Sequence, residues 1–203
     1  MKTQLLMIAA LFVALGSVNA QHDHGDNQKE GKNMNHSLHE GMKMKTGQVI
    51  SFDVSLEFRQ QLTAVYNTSL KMTDSFVAGQ RENVSNNSSE VKAALGKVDM
   101  SLLKTSEAHM DWMMNLKKMN TALDEISLSN DLKAQRVAYA SFNESLFKSL
   151  KAFGPTAGTV YYQHCPMALD NKGGFWLSDS KEVKNPYFGN SMLTCGSTKE
   201  TIN

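Results

Sequence analysis

Between Ser51 and Phe153 apolar residues return every three or four positions, and that recurrence limits this stretch to amphipathic helices packed on one another. Phe58, Leu62, Val65, Tyr66, Met72, Phe76 and Val77 mark the inner face of a first helix, capped by Ser55 or Asp53, with Glu57 in its first turn and Gly79 interrupting it. Val84, Val91, Leu95 and Val98 mark a second over about 82–98, where the run Asn86–Ser89 is a poor helix former. Residues 99–101 read as a junction. A third helix, over about 103–126, carries His109, Trp112, Leu116, Met119, Leu123 and Ile126 on one stripe. A fourth opens at the capping run 129–131 and turns Leu132, Arg136, Tyr139, Phe142, Leu146, Leu150 and Phe153 inward. Gly154-Pro155 ends it, because proline cannot continue a helix and disfavours the α region for the residue before it. The fold expected is mainly α, an antiparallel four-helix bundle over 49–158.

The chain after Gly158 changes character. Gly, Pro and Asn gather at 170–174 and 185–189, so residues 159–203 should form a small irregular cap on the bundle. Within it a β-hairpin is expected to pair Thr159–Gln163 with Phe175–Leu177, anchored by Trp176, Tyr187 and Phe188. Both cysteines fall here, Cys165 beside His164 and Met167, and Cys195 beside Met192. Thiolate, thioether and imidazole are the donors that soft Cu(I) prefers, whereas hard cations seek oxygen. A disulfide competes for the same two sulfurs: it would close a loop of about 30 residues and stabilise by roughly 3–4 kcal/mol. The two states can also alternate, with metal bound only by the reduced thiols.

A second candidate lies on the third helix. His109 and Met113 are four apart and share a face, and Trp112 could lie over a bound Cu(I) as a cation–π lid. The competing reading puts all three in the core, with Met110, Met114 and Met119 filling gaps as methionine commonly does.

At the other end, Lys2, the apolar run 5–15 and Val18-Asn19-Ala20 have the pattern of a signal peptide cleaved after Ala20. The run is shorter than the about 20 residues a membrane span needs, so a protein exported to the periplasm with no membrane anchor in the mature chain is expected. Residues 21–48 are rich in Gly, Asn and Lys and poor in aromatic and β-branched residues, which predicts a disordered tail. His22, His24, His36 and His39, with Met34, Met42 and Met44, make it either a copper- or silver-scavenging arm or a polar linker. The formal charge of +1 over 203 residues offers no field for nucleic acid. Six Asn-x-Ser/Thr sequons, at Asn35, Asn67, Asn83, Asn86, Asn87 and Asn143, are the number an Asn- and Ser-rich chain generates by chance. Motifs of metalloproteases, serine hydrolases, haem attachment and C-x-x-C redox centres do not occur, so a binding protein rather than an enzyme is expected.

The ordered motifs C-P-M-A (165–168), W-L-S (176–178), N-P-Y-F-G (185–189) and M-L-T-C-G (192–196), with V-D-M-S (98–101) and Gln135-Arg136 upstream, resemble a domain family of undefined function. That family occurs in exported bacterial proteins and fused to the periplasmic adaptor subunits of copper/silver efflux pumps. The resemblance runs from about Phe52 to the C-terminus. It implies heavy-metal handling, an efflux-pump adaptor as partner, and Cys165, Met167, Met192 and Cys195 as ligands. Three functions are therefore weighed: a periplasmic Cu(I) or Ag(I) binding protein in sequestration or efflux; a disulfide-stapled interaction module that binds no metal; and a thiol oxidoreductase or copper-site assembly factor using the two cysteines.

Overall fold

The computed structural model describes residues 51–156 and 158–203. Residues 1–20, read from the sequence as a signal peptide, and the tract carrying His22, His24, His36 and His39 lie outside the described residues.

Four long helices form where the periodicity places them: α1 (Leu56–Val77), α2 (Arg81–Leu95), α3 (Ser106–Leu128) and α4 (Leu132–Phe153). Three begin on a side-chain cap. Ser55 Oγ accepts the Phe58 N–H, Thr105 Oγ1 accepts the Ala108 N–H, and the Asp131 carboxylate accepts the Lys133 and Ala134 N–H groups. Between α2 and α3 the residues read as a junction form a 3-10 turn, Met100–Leu102, opened by Asp99 accepting the Ser101 N–H. Consecutive helices pack side by side, and α1 meets α4 to close the bundle.

The core is aromatic at one end, where Trp112 stands edge-on to Phe58 at 5.4 Å and to Phe153 at 6.2 Å. Farther along, Phe76 packs on Tyr139, and the Tyr139 hydroxyl shares a 2.7 Å hydrogen bond with Thr73 Oγ1. Burial pushes the Tyr139 phenol well above its ordinary range, outweighing the opposite effect of the Thr73 hydrogen bond, so it stays neutral. Gln135, also fully buried, donates to Ser85 Oγ and to the Ile126 carbonyl, tying α4 to α2 and to the end of α3.

The cap is a three-stranded antiparallel sheet: β1 (Val160–Cys165), β2 (Gly174–Ser178) and β3 (Ser197–Ile202), in the order β2-β1-β3. β1 and β2 are the hairpin read from the sequence, with Tyr162 opposite Leu177 and Cys165 opposite Gly174. β3 was not anticipated. Its sequence, Ser-Thr-Lys-Glu-Thr-Ile, carries one large apolar residue and takes its place by backbone pairing with β1. The hairpin connection contains three successive left-handed residues, Leu169, Asp170 and Asn171, at φ of 54°, 59° and 65°. For L-residues this conformation costs about 1–2 kcal/mol each. Asp170 there pairs with Lys133 of α4 at 3.1 Å.

The seam between sheet and bundle is specific. The outer edge of β2 faces α4, and its exposed backbone groups are closed by side chains. Asn143 Oδ1 accepts the Leu177 N–H at 3.0 Å, and the Tyr187 hydroxyl donates to the Phe175 carbonyl at 2.5 Å. Arg136 Nε donates to the Pro186 carbonyl at 2.9 Å, so this inward residue of α4 serves the cap rather than the core. Phe147 of α4, Tyr162, Phe175 and His164 stack in succession, with centroids 3.7, 4.7 and 4.2 Å apart. Asn143 is 1 % exposed and its amide nitrogen donates to the Tyr139 carbonyl, so its sequon is closed to modification in the folded chain. No helix among the described residues is long and apolar enough to cross a membrane.

Candidate functional site: a sulfur pair on the cap

β1 ends at Cys165, and β3 is preceded by Cys195 and Gly196. Because β1 and β3 are neighbours, the two cysteines meet at one end of the sheet, and their sulfurs stand 3.1 Å apart. Both are free thiols; Cys165 is fully buried and Cys195 half-buried, so Cys195 is the side from which a reagent or ion arrives. The Cys195 thiol is pushed up from its ordinary value by the hydrogen bond it shares with Cys165, then by burial and by the charge of a Cys165 thiolate. The Cys195 thiol therefore favours keeping its proton while it shares that hydrogen bond.

The surroundings explain how the chain brings them together. Gly196 has φ +146°, and a Cβ there would lie 2.8 Å from the Trp176 ring and 2.9 Å from the His164 carbonyl. Only glycine passes through this gap between β1 and the indole. A Cβ on Gly174, opposite Cys165, would lie 2.7 Å from the Tyr187 ring and 2.9 Å from Ala168 Cβ. Asn185 is fully buried and organises the loop: its Nδ2 donates to the Cys195 carbonyl at 2.7 Å, and its Oδ1 accepts the Tyr187 N–H at 2.8 Å. Its own N–H donates to the Leu193 carbonyl. Trp176 lies 6.0 Å from Tyr187 and is fully buried, so the anchors expected at Trp176 and Tyr187 are in place; Phe188 is only half-buried.

The other residues named from the sequence divide. Met192 shares a turn with Cys195, whose N–H donates to the Met192 carbonyl at 3.1 Å; its side chain is half-buried. Met167 opens the turn after β1 with 47 % of its surface exposed. His164 does not join the sulfurs. Successive strand residues point to opposite faces, and its ring packs instead on Phe175, with Nε2 2.5 Å from where a Cβ on Gly173 would stand. Burial there lowers its pKa, helped by Lys199. On α3 the trio separates as well. His109 is exposed rather than inward, Met113 is 40 % exposed, and Trp112 is fully buried against Phe58 and Phe153. The indole therefore cannot cover an ion held by His109 and Met113. Met119 packs as expected, but Met110 and Met114 are 55 % and 51 % exposed.

Sequence reasoning placed Asn185 in a turn, Gly196 in a motif and Asn143 in a sequon, and missed the role of each. Asn before Pro at 185 signals a turn in which the asparagine side chain takes the following N–H groups. Glycine directly after Cys195 signals a close passage. Asn143 carried no signal, since one polar residue on an inward face does not reveal its partner 34 residues away.

Among the described residues no three His, Cys, Asp or Glu side chains gather where one ion could bind them. The arrangement can therefore form a disulfide, or hold a two-coordinate soft ion if the sulfurs spread. Residues 65–158 match the model of a family described as a protein of unknown function, DUF3347, and the match stops just before β1, leaving the sulfur pair outside it. No curated protein and no solved structure matches. From within α1 to the end of the bundle, the chain carries a domain of unknown function similar to that family.

Proposed function

We propose that this chain is a periplasmic binding protein for a soft monovalent ion, Cu(I) or Ag(I), which it sequesters or hands to an efflux system. The observation that carries the reading is the Cys165–Cys195 pair, two sulfurs in contact at the end of a sheet with one of them reachable from solvent. Thiolates select soft ions over Mg, Ca and Mn, and two of them suffice for an ion that accepts low coordination. Met192, on the same turn as Cys195, and Met167, two residues beyond Cys165, are the thioethers placed to complete the set. Binding must displace the thiol protons. Because the Cys195 thiol is held above its ordinary value, affinity should increase as the pH rises.

Anaerobic titration of the reduced protein with Cu(I) against a chromogenic chelator tests this. One tightly held ion should vanish in Cys165→Ser and in Cys195→Ser, and weaken in Met192→Leu. Unchanged Cu(I) capacity in both cysteine variants would sink the proposal.

A second reading is favoured by the same contact. A 3.1 Å separation is closer to the disulfide bond length of about 2.05 Å than a pair spread around an ion would be. The pair is then a staple that fixes the cap for docking on an envelope partner. Thiol counting on protein isolated from the periplasm separates the two: no free thiol supports the staple, two support the ion site.

A further inference from the structure

We infer that the solvent face of α3 carries a second soft-ion site, made by Met110, Met113 and Met114 with His109, which binds Cu(I) or Ag(I) whatever the oxidation state of Cys165 and Cys195. It rests on the soft-metal reading above and deepens it. The observation is one of misplaced side chains. Met72 and Met119 are fully buried and do the packing expected of methionine, while Met110, Met113 and Met114 are 55 %, 40 % and 51 % exposed on adjoining turns of one helix. They fill no gap in the core. The other exposed large apolar residues, Leu56, Leu128, Val137 and Met167, are scattered along the chain, so Met110, Met113 and Met114 are the exposed apolar side chains that fall within two turns of one helix.

Helix geometry brings these four into one patch. Met110 lies three residues before Met113 and four before Met114, and His109 lies four before Met113. Such pairs have Cβ atoms about 5–6 Å apart, within which unbranched thioether arms can converge on one ion. Trp112 is not part of it, since its ring is in the core. The donor set also states which ion fits. Three neutral sulfurs and an imidazole contain no carboxylate, so hard divalent cations gain nothing there. Lys117 and Lys118 follow within a turn and line, with Met114, Glu125, Glu144 and Lys148, the hollow between α3 and α4, so charges of both signs border the patch and the selectivity rests on the donor set. Glu107 and Asp111 are the carboxylates nearest in the helix sequence.

The test uses the full chain labelled at the methionine ε-methyl carbons and titrated with Ag(I). The Met110, Met113 and Met114 methyl signals should shift together within the first equivalents, and should do so equally in a Cys165→Ser, Cys195→Ser double variant. The combined Met110→Leu, Met113→Leu and Met114→Leu variant should keep its helical circular dichroism and melting midpoint while binding one Ag(I) fewer. If those three methyl signals stay fixed in excess Ag(I), the site does not exist. The cysteine variants are read separately by Cu(I) capacity, so loss of the sulfur-pair reading and loss of this one cannot be confused.

Discussion

Asn143 and Leu177 join the two parts of the molecule: from the middle of α4 the amide oxygen takes the outward N–H of β2 at 3.0 Å, and both residues are closed to water. Replacing Asn143 by Leu leaves that N–H and the Tyr139 carbonyl contact without their partner. A loss of about 1–3 kcal/mol is expected in urea unfolding, the usual penalty for a buried backbone group left unpaired. A silent Asn143→Leu would show that β2 needs no help from the bundle at its free edge.

Trp176 roofs the passage of residue 196, so two substitutions should damage one feature from opposite sides. Trp176→Ala removes a fully buried indole and should cost about 3–5 kcal/mol. Gly196→Ala drives a methyl into the ring at 2.8 Å, in a backbone conformation unsuited to alanine, and should cost more than about 1 kcal/mol. In both variants Cys165 should react faster with a thiol reagent, because the cap that buries it has loosened. Slow, wild-type labelling with reduced stability would place the damage elsewhere.

Oxidation of the pair constrains a segment of about 30 residues in the unfolded chain, worth roughly 3–4 kcal/mol in the loop-entropy model. The oxidised protein should therefore unfold at higher denaturant than the reduced one, and Cys195→Ser should abolish the difference. Equal midpoints would mean that closing the bond strains the cap by as much as it restrains the chain.

Asp74, on α1, sits in the field of Asp179 from the cap, and burial together with that charge raises its carboxyl above its ordinary value of 3.8, against a smaller opposing effect of Lys184. A carboxyl raised on folding favours the protonated native state, so its contribution is most favourable at low pH and is lost as the pH rises through the folded value. Asp74→Asn should therefore stabilise the protein slightly at pH 7, by up to about 0.5 kcal/mol for a surface position. The gain should disappear in melting curves taken below the ordinary carboxyl range; a gain that persists there has another origin.

The bundle was legible because its signals are local and repeated. Phe58, Leu62, Val65 and Tyr66 announce a buried face by spacing alone, and all four are buried. Periodicity speaks of a face and not of each residue on it, which is why His109 fell on the stripe yet points to solvent. The first two strands were readable from their aromatic and β-branched residues and the turn between them. β3 was not, since its pairing is made by backbone atoms that every residue carries. The meeting of Cys165 and Cys195 was readable as an expectation from cysteine chemistry, and it is met at 3.1 Å. The separation of His164 from that pair follows from strand alternation, a rule applicable once β1 is known to run through both residues.

The strand order has a kinetic meaning. β1 reaches β2 across a short turn, but it reaches β3 only after the whole segment through Gly196 has folded back past it. Helices gain their contacts locally and form early, whereas pairings between distant segments wait on loop closure. We expect the bundle and hairpin to assemble first, leaving one flank of β1 open until the last strand docks. A thiol-blocking agent or a metal ion present during refolding would then act on the final step, and a pulse of labelling at successive refolding times should find Cys165 protected last.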